Sequence, residues 1–197
     1  MQTKTRLMNV DEFRAFTELP ENKDKNFELL QGEVIAVPSP KEVHAWIVYR
    51  IGLLLGLFLT THGIEGTVYG DNLDFILGEN IVLKPDVSYT SAARKPKLKD
   101  YPTVAPDLVV EVVSPSNTAD EMLAKIQIFF QYGAQLVWVV YPKTKTVQIY
   151  TPGETPEKPS SITRTADDLI DGGTVLPGFS AKVSDFFPPA SLQADTP

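Results

Sequence analysis

The chain has 197 residues, 43% of them hydrophobic and 22% charged, with two histidines, no cysteine and a net charge of −7. That length and balance fit a soluble globular protein with one sizeable core, and the missing cysteines exclude disulfides, thiolate zinc sites and cysteine nucleophiles. With only His44 and His62 available, a histidine-rich metal centre is excluded too, so any metal must be oxygen-bound, as magnesium, manganese and calcium are.

The longest apolar run, residues 51–59, is too short to span a bilayer and directly follows Arg50. No basic-then-apolar leader opens the chain, and the expectation is a cytoplasmic protein with no membrane partner. The acidic balance weighs against general binding of nucleic acid, except through local basic patches.

In chain order, residues 9–19 predict a short amphipathic helix capped by Asn9, with Phe13, Phe16 and Leu19 as its stripe. Residues 27–31 and 33–37, turning at Gly32, predict a hairpin. Ser39-Pro40-Lys41-Glu42 reads as a helix start, with Ser39 as the cap and Pro40 in the first position. The helix should run to about Thr61 and stop near Gly63, with Ile47, Ile51, Leu55 and Leu59 on its apolar stripe and His44 projecting onto it. Strands are expected at 67–69 and 73–77. After a turn at 78–80, residues 81–83 and 85–90 form one extended partner, and 91–104 are loop.

Residues 106–115 are apolar on both alternating faces, the mark of a central strand covered on each side. Thr118-Ala119-Asp120-Glu121 is a capping box opening a helix to about Tyr132, where Gly133 stops it. Met122, Ile126, Phe129 and Phe130 form its buried stripe, and Lys125 and Tyr132 share one edge of that stripe at the boundary with solvent. Strands at 136–141 and 146–150, a Pro-rich loop at 152–160, a short strand near 162–164 and closing segments at 175–179 and 183–187 follow. The pattern predicts one mixed α/β (α+β) domain over residues 1–187, with a central mixed sheet flanked by helices, and a disordered tail at 188–197.

Glu111 lies inside the central strand, and a buried carboxylate is costly unless it is paired, metal-bound or neutralised. If the strand carrying Asp86 is its hairpin neighbour, the two carboxylates converge at one end of the sheet. Two carboxylates and a main-chain carbonyl, for which Val112 is the candidate, suit an octahedral site for magnesium or manganese. Lys125, on the next helix, would then orient the attacking water and offset developing charge. Plainer readings compete. Glu111 also fits a structural ion pair with Lys125 or an arginine, Asp86 a turn residue bonded to backbone, and Lys125 a solvated lysine. His44 fits a satisfied core histidine better than a catalytic one. Arg94, Lys95, Lys97 and Lys99 are a phosphate grip if they flank the site and an ordinary solvated loop otherwise.

The ordered set Lys84-Pro85-Asp86, then residues 107–115 around Glu111, then Lys125 and Tyr132-Gly133 resembles the PD-(D/E)XK nuclease superfamily. More narrowly, the chain is similar to a large bacterial family of restriction-endonuclease type, a domain of unknown function, over roughly residues 10–187. Residues 28–33, His44 after Pro38-Ser39-Pro40, residues 138–142 and Leu176-Pro177-Gly178-Phe179 share in that likeness. The resemblance implies a restriction-endonuclease-like core with Asp86 and Glu111 as metal ligands and Glu28 as an accessory carboxylate. The sequence departs from the superfamily where Val113 replaces the lysine two residues after the glutamate. The resemblance therefore requires a migrated lysine, for which Lys125 is the candidate.

The expectation is a metal-dependent endonuclease that hydrolyses phosphodiester bonds of DNA with Mg2+ or Mn2+, assembled as a homodimer because cutting two strands takes two sites. Its rival is a nuclease-like fold kept as a non-catalytic binding or assembly protein, which the acidic charge and Val113 favour. A hydrolase of small phosphoesters, needing no basic groove, is the third reading.

Overall fold

The structure, a computed structural model, describes residues 7–70, 73–94 and 100–192. In chain order the elements begin with α1 (Val10–Thr17), the hairpin β1 (Asn26–Leu30) and β2 (Glu33–Val37), and the long helix α2 (Glu42–His62). Four strands follow: β3 (Gly66–Tyr69), β4 (Phe75–Gly78), β5 (Ile81–Leu83) and β6 (Val87–Ser91). Then come β7 (Leu108–Val112), α3 (Ala119–Gln131), β8 (Leu136–Tyr141) and β9 (Thr146–Thr151). Strands β10 (Ser160–Arg164), β11 (Leu169–Gly172) and β12 (Leu176–Lys182) close the series, followed by 3-10 turns at Val183–Phe186 and Ala190–Leu192. The second turn falls in the expected tail, of which residues 193–197 lie outside the described residues.

Local chemistry sets most helix ends. Asn9 and Thr118 each accept a helical N–H while Glu12 and Glu121 bond back to them, so α1 and α3 both open on capping boxes. Gly63, at φ 61°, closes α2 in the left-handed conformation that glycine adopts cheaply. The start of α2 differs from expectation: Ser39 and Pro40 lie before the helix, and its cap residue Lys41 makes no side-chain bond. Burial of the stripe Ile47, Ile51, Leu55 and Leu59, rather than a cap, holds this helix. By length and composition α2 could cross a bilayer. That stripe nevertheless packs on the large sheet against Val110 and Trp138, as a core helix does. Leu19 is exposed because α1 stops at Thr17, short of the predicted end.

The large sheet runs β10-β9-β8-β7-β6-β3 and is parallel only between β7 and β8. A parallel pair needs a crossover, and α3 provides it. A smaller antiparallel sheet runs β2-β1-β5-β4. One apolar cluster joins Ile126 and Phe129 of α3 to Val109 and Val137 of the large sheet and to Phe75 and Leu83 of the small one. Helix α3 is therefore lodged between two sheets. On the outer side of the small sheet, Phe13 of α1 meets Phe27, Leu29 and Val82.

The central strand is as expected: all five residues of β7 are buried, in the interior of the sheet. The mixed α/β class with a central mixed sheet flanked by helices also holds. Residues 81–83 and 85–90, expected as one partner, instead belong to different sheets, with β5 in the small one and β6 in the large one. Pro85, which has no N–H to donate to a ladder, stands at the crossing, and Asp86 occupies a bend just before β6 rather than the strand itself. Strand β11 was not expected: only Ile170 and Gly172 of its four residues are buried, which leaves little periodicity to read.

Candidate active site

Strands β6 and β7 are antiparallel neighbours, with Val87 opposite Val110. One step further in that register, Asp86 stands beside Glu111 at the C-terminal end of β7. Asp86 Oδ2 accepts the Val112 N–H at 2.6 Å, and Oδ1 lies 3.4 Å from His44 Nε2 at the start of α2. The backbone-bonded aspartate of the plainer reading is thus present.

Glu111 is 4% exposed. Lys125 Nζ donates to its Oε2 at 2.8 Å, while Glu111 Oε1 is buried without a hydrogen-bond partner. Lys125 also lies 3.1 Å from Glu28 Oε1, and the same oxygen accepts the Lys84 N–H at 2.8 Å. Glu28 of the small sheet, Glu111 of the large sheet and Asp86 of the bend therefore gather near one lysine on the helix between them. Glu28, which the resemblance implied as an accessory carboxylate, is buried here.

Lys125 corrects a second expectation. It is 8% exposed rather than at the solvent boundary, because its spacing from Met122 and Phe129 puts it on their face of α3. Tyr132, its expected companion at that edge, is half-buried with its hydroxyl against Gly78.

The electrostatics follow from this crowding. Burial is the largest influence on Glu111 and pushes it up; Lys125 pulls it back, and Asp86 and Glu28 raise it further, to about 8. Burial alone would lower the Lys125 ammonium, but the charges of Glu111 and Glu28 outweigh that and hold it above its usual range.

With Lys125 charged, full ionisation of Glu28, Asp86 and Glu111 would leave this cluster two negative charges in excess. That excess and the orphaned Glu111 Oε1 fit a divalent cation. Among the described residues no group of three or more His, Asp or Glu forms a ready-made cage. An ion here would rest on two carboxylates, main-chain oxygen and water, a donor set that suits magnesium or manganese. The Val112 N–H points to Asp86, whereas the Val113 N–H donates to the Val140 carbonyl at 2.9 Å. An extended residue sends its N–H and C=O to the same side, so the Val112 carbonyl also faces Asp86.

Arg94, the described member of the basic cluster, does not reach this site. Arg94 Nε lies 3.5 Å from Asp107 Oδ1, and its Nη1 donates to the Ala105 carbonyl at 3.1 Å. These contacts hold Arg94 at the opposite end of β7 from Glu111, so it does not meet the condition of flanking the site on which its phosphate role depended. Lys95, Lys97 and Lys99 lie outside the described residues. Sequence reasoning also missed Lys84 as a separate contributor, although it stands in the Lys-Pro-Asp motif. Its main chain holds Glu28, a contact that residue type cannot signal.

A mixed sheet with a β-α-β crossover, carboxylates at the strand end and a lysine on the crossover helix together describe a nuclease-like fold. The family model described as "Uma2: Putative restriction endonuclease" matches residues 11–184, and the chain belongs to that family. The fold is shared with a crystal structure of a putative nuclease belonging to DUF820 from Anabaena variabilis ATCC 29413. That comparison gives a TM-score of 0.76 at 22% identity, covering 91% of this chain and 97% of that one. No curated protein matches.

Proposed function

We propose that the protein is a metal-dependent endonuclease hydrolysing phosphodiester bonds of DNA, with Mg2+ or Mn2+ held by Asp86, Glu111 and the Val112 carbonyl. One observation carries this reading: the buried, unpartnered Glu111 Oε1 within a cluster that has excess negative charge. DNA is the substrate because restriction endonuclease is the activity that the family description names.

An ion bound there would lower the pKa of its water and stabilise charge on the phosphoryl group. Lys125 keeps a positive charge beside Glu111, where it would orient that water and offset charge on the phosphate oxygens. Glu28 holds Lys125 from the other side. The Val112 N–H and His44 each fix one oxygen of Asp86. In this scheme Lys125 replaces the lysine that Val113 displaces, which removes that objection to activity. A homodimer would supply the second site for the second strand.

Nicking of supercoiled plasmid by purified protein in EDTA, magnesium or manganese tests the reading, with Glu111→Ala alongside. Expected is cleavage that requires metal and disappears in the variant. No cleavage, together with no manganese binding by calorimetry, would overturn it in favour of a non-catalytic role.

A further inference from the structure

A cleft of about 320 Å³ opens at the margin of the small sheet, next to α1. Arg14, Lys23, Lys25 and Lys84 line it together with Glu18 and Asp74. Four cations against two carboxylates make the cleft locally positive in a chain whose net charge is −7. Charges at a surface usually intersperse, so a local reversal of this kind defines an electrostatic footprint.

The lining is organised. The Arg14 guanidinium lies over the Tyr101 ring, 4.5 Å from its centroid, and Lys84 Nζ pairs with Asp74 at 3.3 Å. The buried Asn22 donates its side-chain amide to the Phe16 carbonyl at 3.0 Å and accepts the Lys25 N–H at its own carbonyl. That pins the segment carrying Lys23 and Lys25 to the end of α1 while leaving both lysines exposed to solvent.

The cleft and the carboxylate cluster also share a wall. The Lys84 side chain lines the cleft while its main-chain N–H bonds Glu28. Phe27 lines the cleft and Glu28 meets Lys125, because successive residues of β1 point to opposite faces. The cleft and the cluster thus lie on opposite faces of one sheet and are joined through Lys84 and the β1 pair Phe27 and Glu28.

We infer that this cleft is a second binding site, gripping phosphates of the nucleic-acid backbone beside the bond that is cut; the inference rests on the nuclease reading above. Lysines act here as point charges on phosphate, and the Arg14–Tyr101 stack offers a planar surface to the strand.

The test is binding of a fluorescein-labelled DNA duplex to the full chain in EDTA, read by anisotropy across a salt series. The variant is Lys23→Glu with Lys25→Glu; both residues are exposed, and an unchanged thermal midpoint confirms its fold. The control, Lys158→Glu with Lys182→Glu, makes the same charge change outside the cleft. Expected is binding weaker by about tenfold or more in the cleft variant, with a salt slope shallower by about two, and wild-type binding in the control. Equal binding by wild type and cleft variant overturns the inference, and the nuclease reading stands if the wild type nicks plasmid with metal. Weakened binding in the cleft variant alone, with neither nicking nor manganese binding by the wild type, keeps the cleft as a nucleic-acid site and sinks the catalytic reading. Equal weakening in the control, no duplex binding by the wild type, or a mononucleotide bound as tightly as the duplex would each overturn the inference. The last result would assign the cleft to small phosphoesters.

Discussion

Just before β7, Asp107 accepts the Ser91 N–H at 2.7 Å and lies 3.5 Å from Arg94. Near the other end of the strand, Glu111 meets Lys125 through one oxygen, leaves the other without a bond, and shares its lysine with Glu28. Both carboxylates face a cation, yet they are different kinds of group. Asp107 has a cation and a backbone donor to itself and ties β6 to β7. Glu111 belongs to a cluster in which acids outnumber the base, an excess that the proposed metal ion would offset. Burial and pairing alone do not separate these two carboxylates; unmatched charge and an unfilled oxygen do.

Substitution at the two ends breaks the comparison most sharply. Glu111→Ala is expected to lower metal-dependent plasmid nicking by about a hundredfold or more. Asp107→Asn should leave nicking per folded molecule unchanged and cost about 1–3 kcal/mol in urea unfolding. A variant at Asp107 that lost nicking while remaining folded would erase the distinction.

The cations should differ next. Lys125→Met leaves Glu28 and Glu111 buried without their counter-ion, and metal-free unfolding should show a loss of about 3–5 kcal/mol. Arg94→Met, at a more exposed pair, should cost about 1 kcal/mol or less. Manganese should restore more of the midpoint lost by the Lys125 variant than of that lost by the Arg94 variant. Equal rescue would contradict the excess negative charge assigned to the Glu111 end.

A smaller effect concerns pH. Glu111 titrates near 8 in the folded protein against 4.5 as its ordinary value, so the fold binds a proton that the unfolded chain releases. Its contribution is fully present below about pH 4.5 and is lost as pH rises through about 8. The melting midpoint of the metal-free protein should therefore fall across that window, and Glu111→Gln should flatten the fall, whereas Asp107→Asn should not. A slope unchanged by Glu111→Gln would place the titration elsewhere. The smallest effect is at His44, whose Nε2 lies 3.4 Å from Asp86 Oδ1: His44→Gln should slow nicking by about tenfold at saturating metal, the low end of what an orienting partner of a metal ligand supplies.

Glu111 was legible in the sequence because a charge in a strand apolar on both faces has few explanations. Asp86 was legible as the carboxylate of the neighbouring segment, although the sequence placed it inside the strand rather than in the bend before it. Lys125 was legible as a candidate but not as a buried group, since an isolated helix shows its stripe and not what covers the stripe's edge. The cover is Glu28 on β1, distant in sequence and brought near only by packing of the small sheet on α3. The division of residues 81–90 between two sheets was hidden for a related reason: Pro85 permits such a crossing without dictating it. Contiguity also misled. Arg94 begins a visible run of cations yet turns to Asp107, while Arg14, Lys23, Lys25 and Lys84 are scattered in the chain and meet in one cleft.

The bridge formed by Lys125 between the two sheets has a consequence for synthesis. Glu28 emerges early from the ribosome, Asp86 and Glu111 later, and Lys125 last of the four. Until α3 has been made and lodged between the sheets, the acidic residues have neither their base nor the wall that buries them. A nascent or prematurely terminated chain would carry the three carboxylates of the cluster in an unassembled form, exposed to water and without the lysine that joins them.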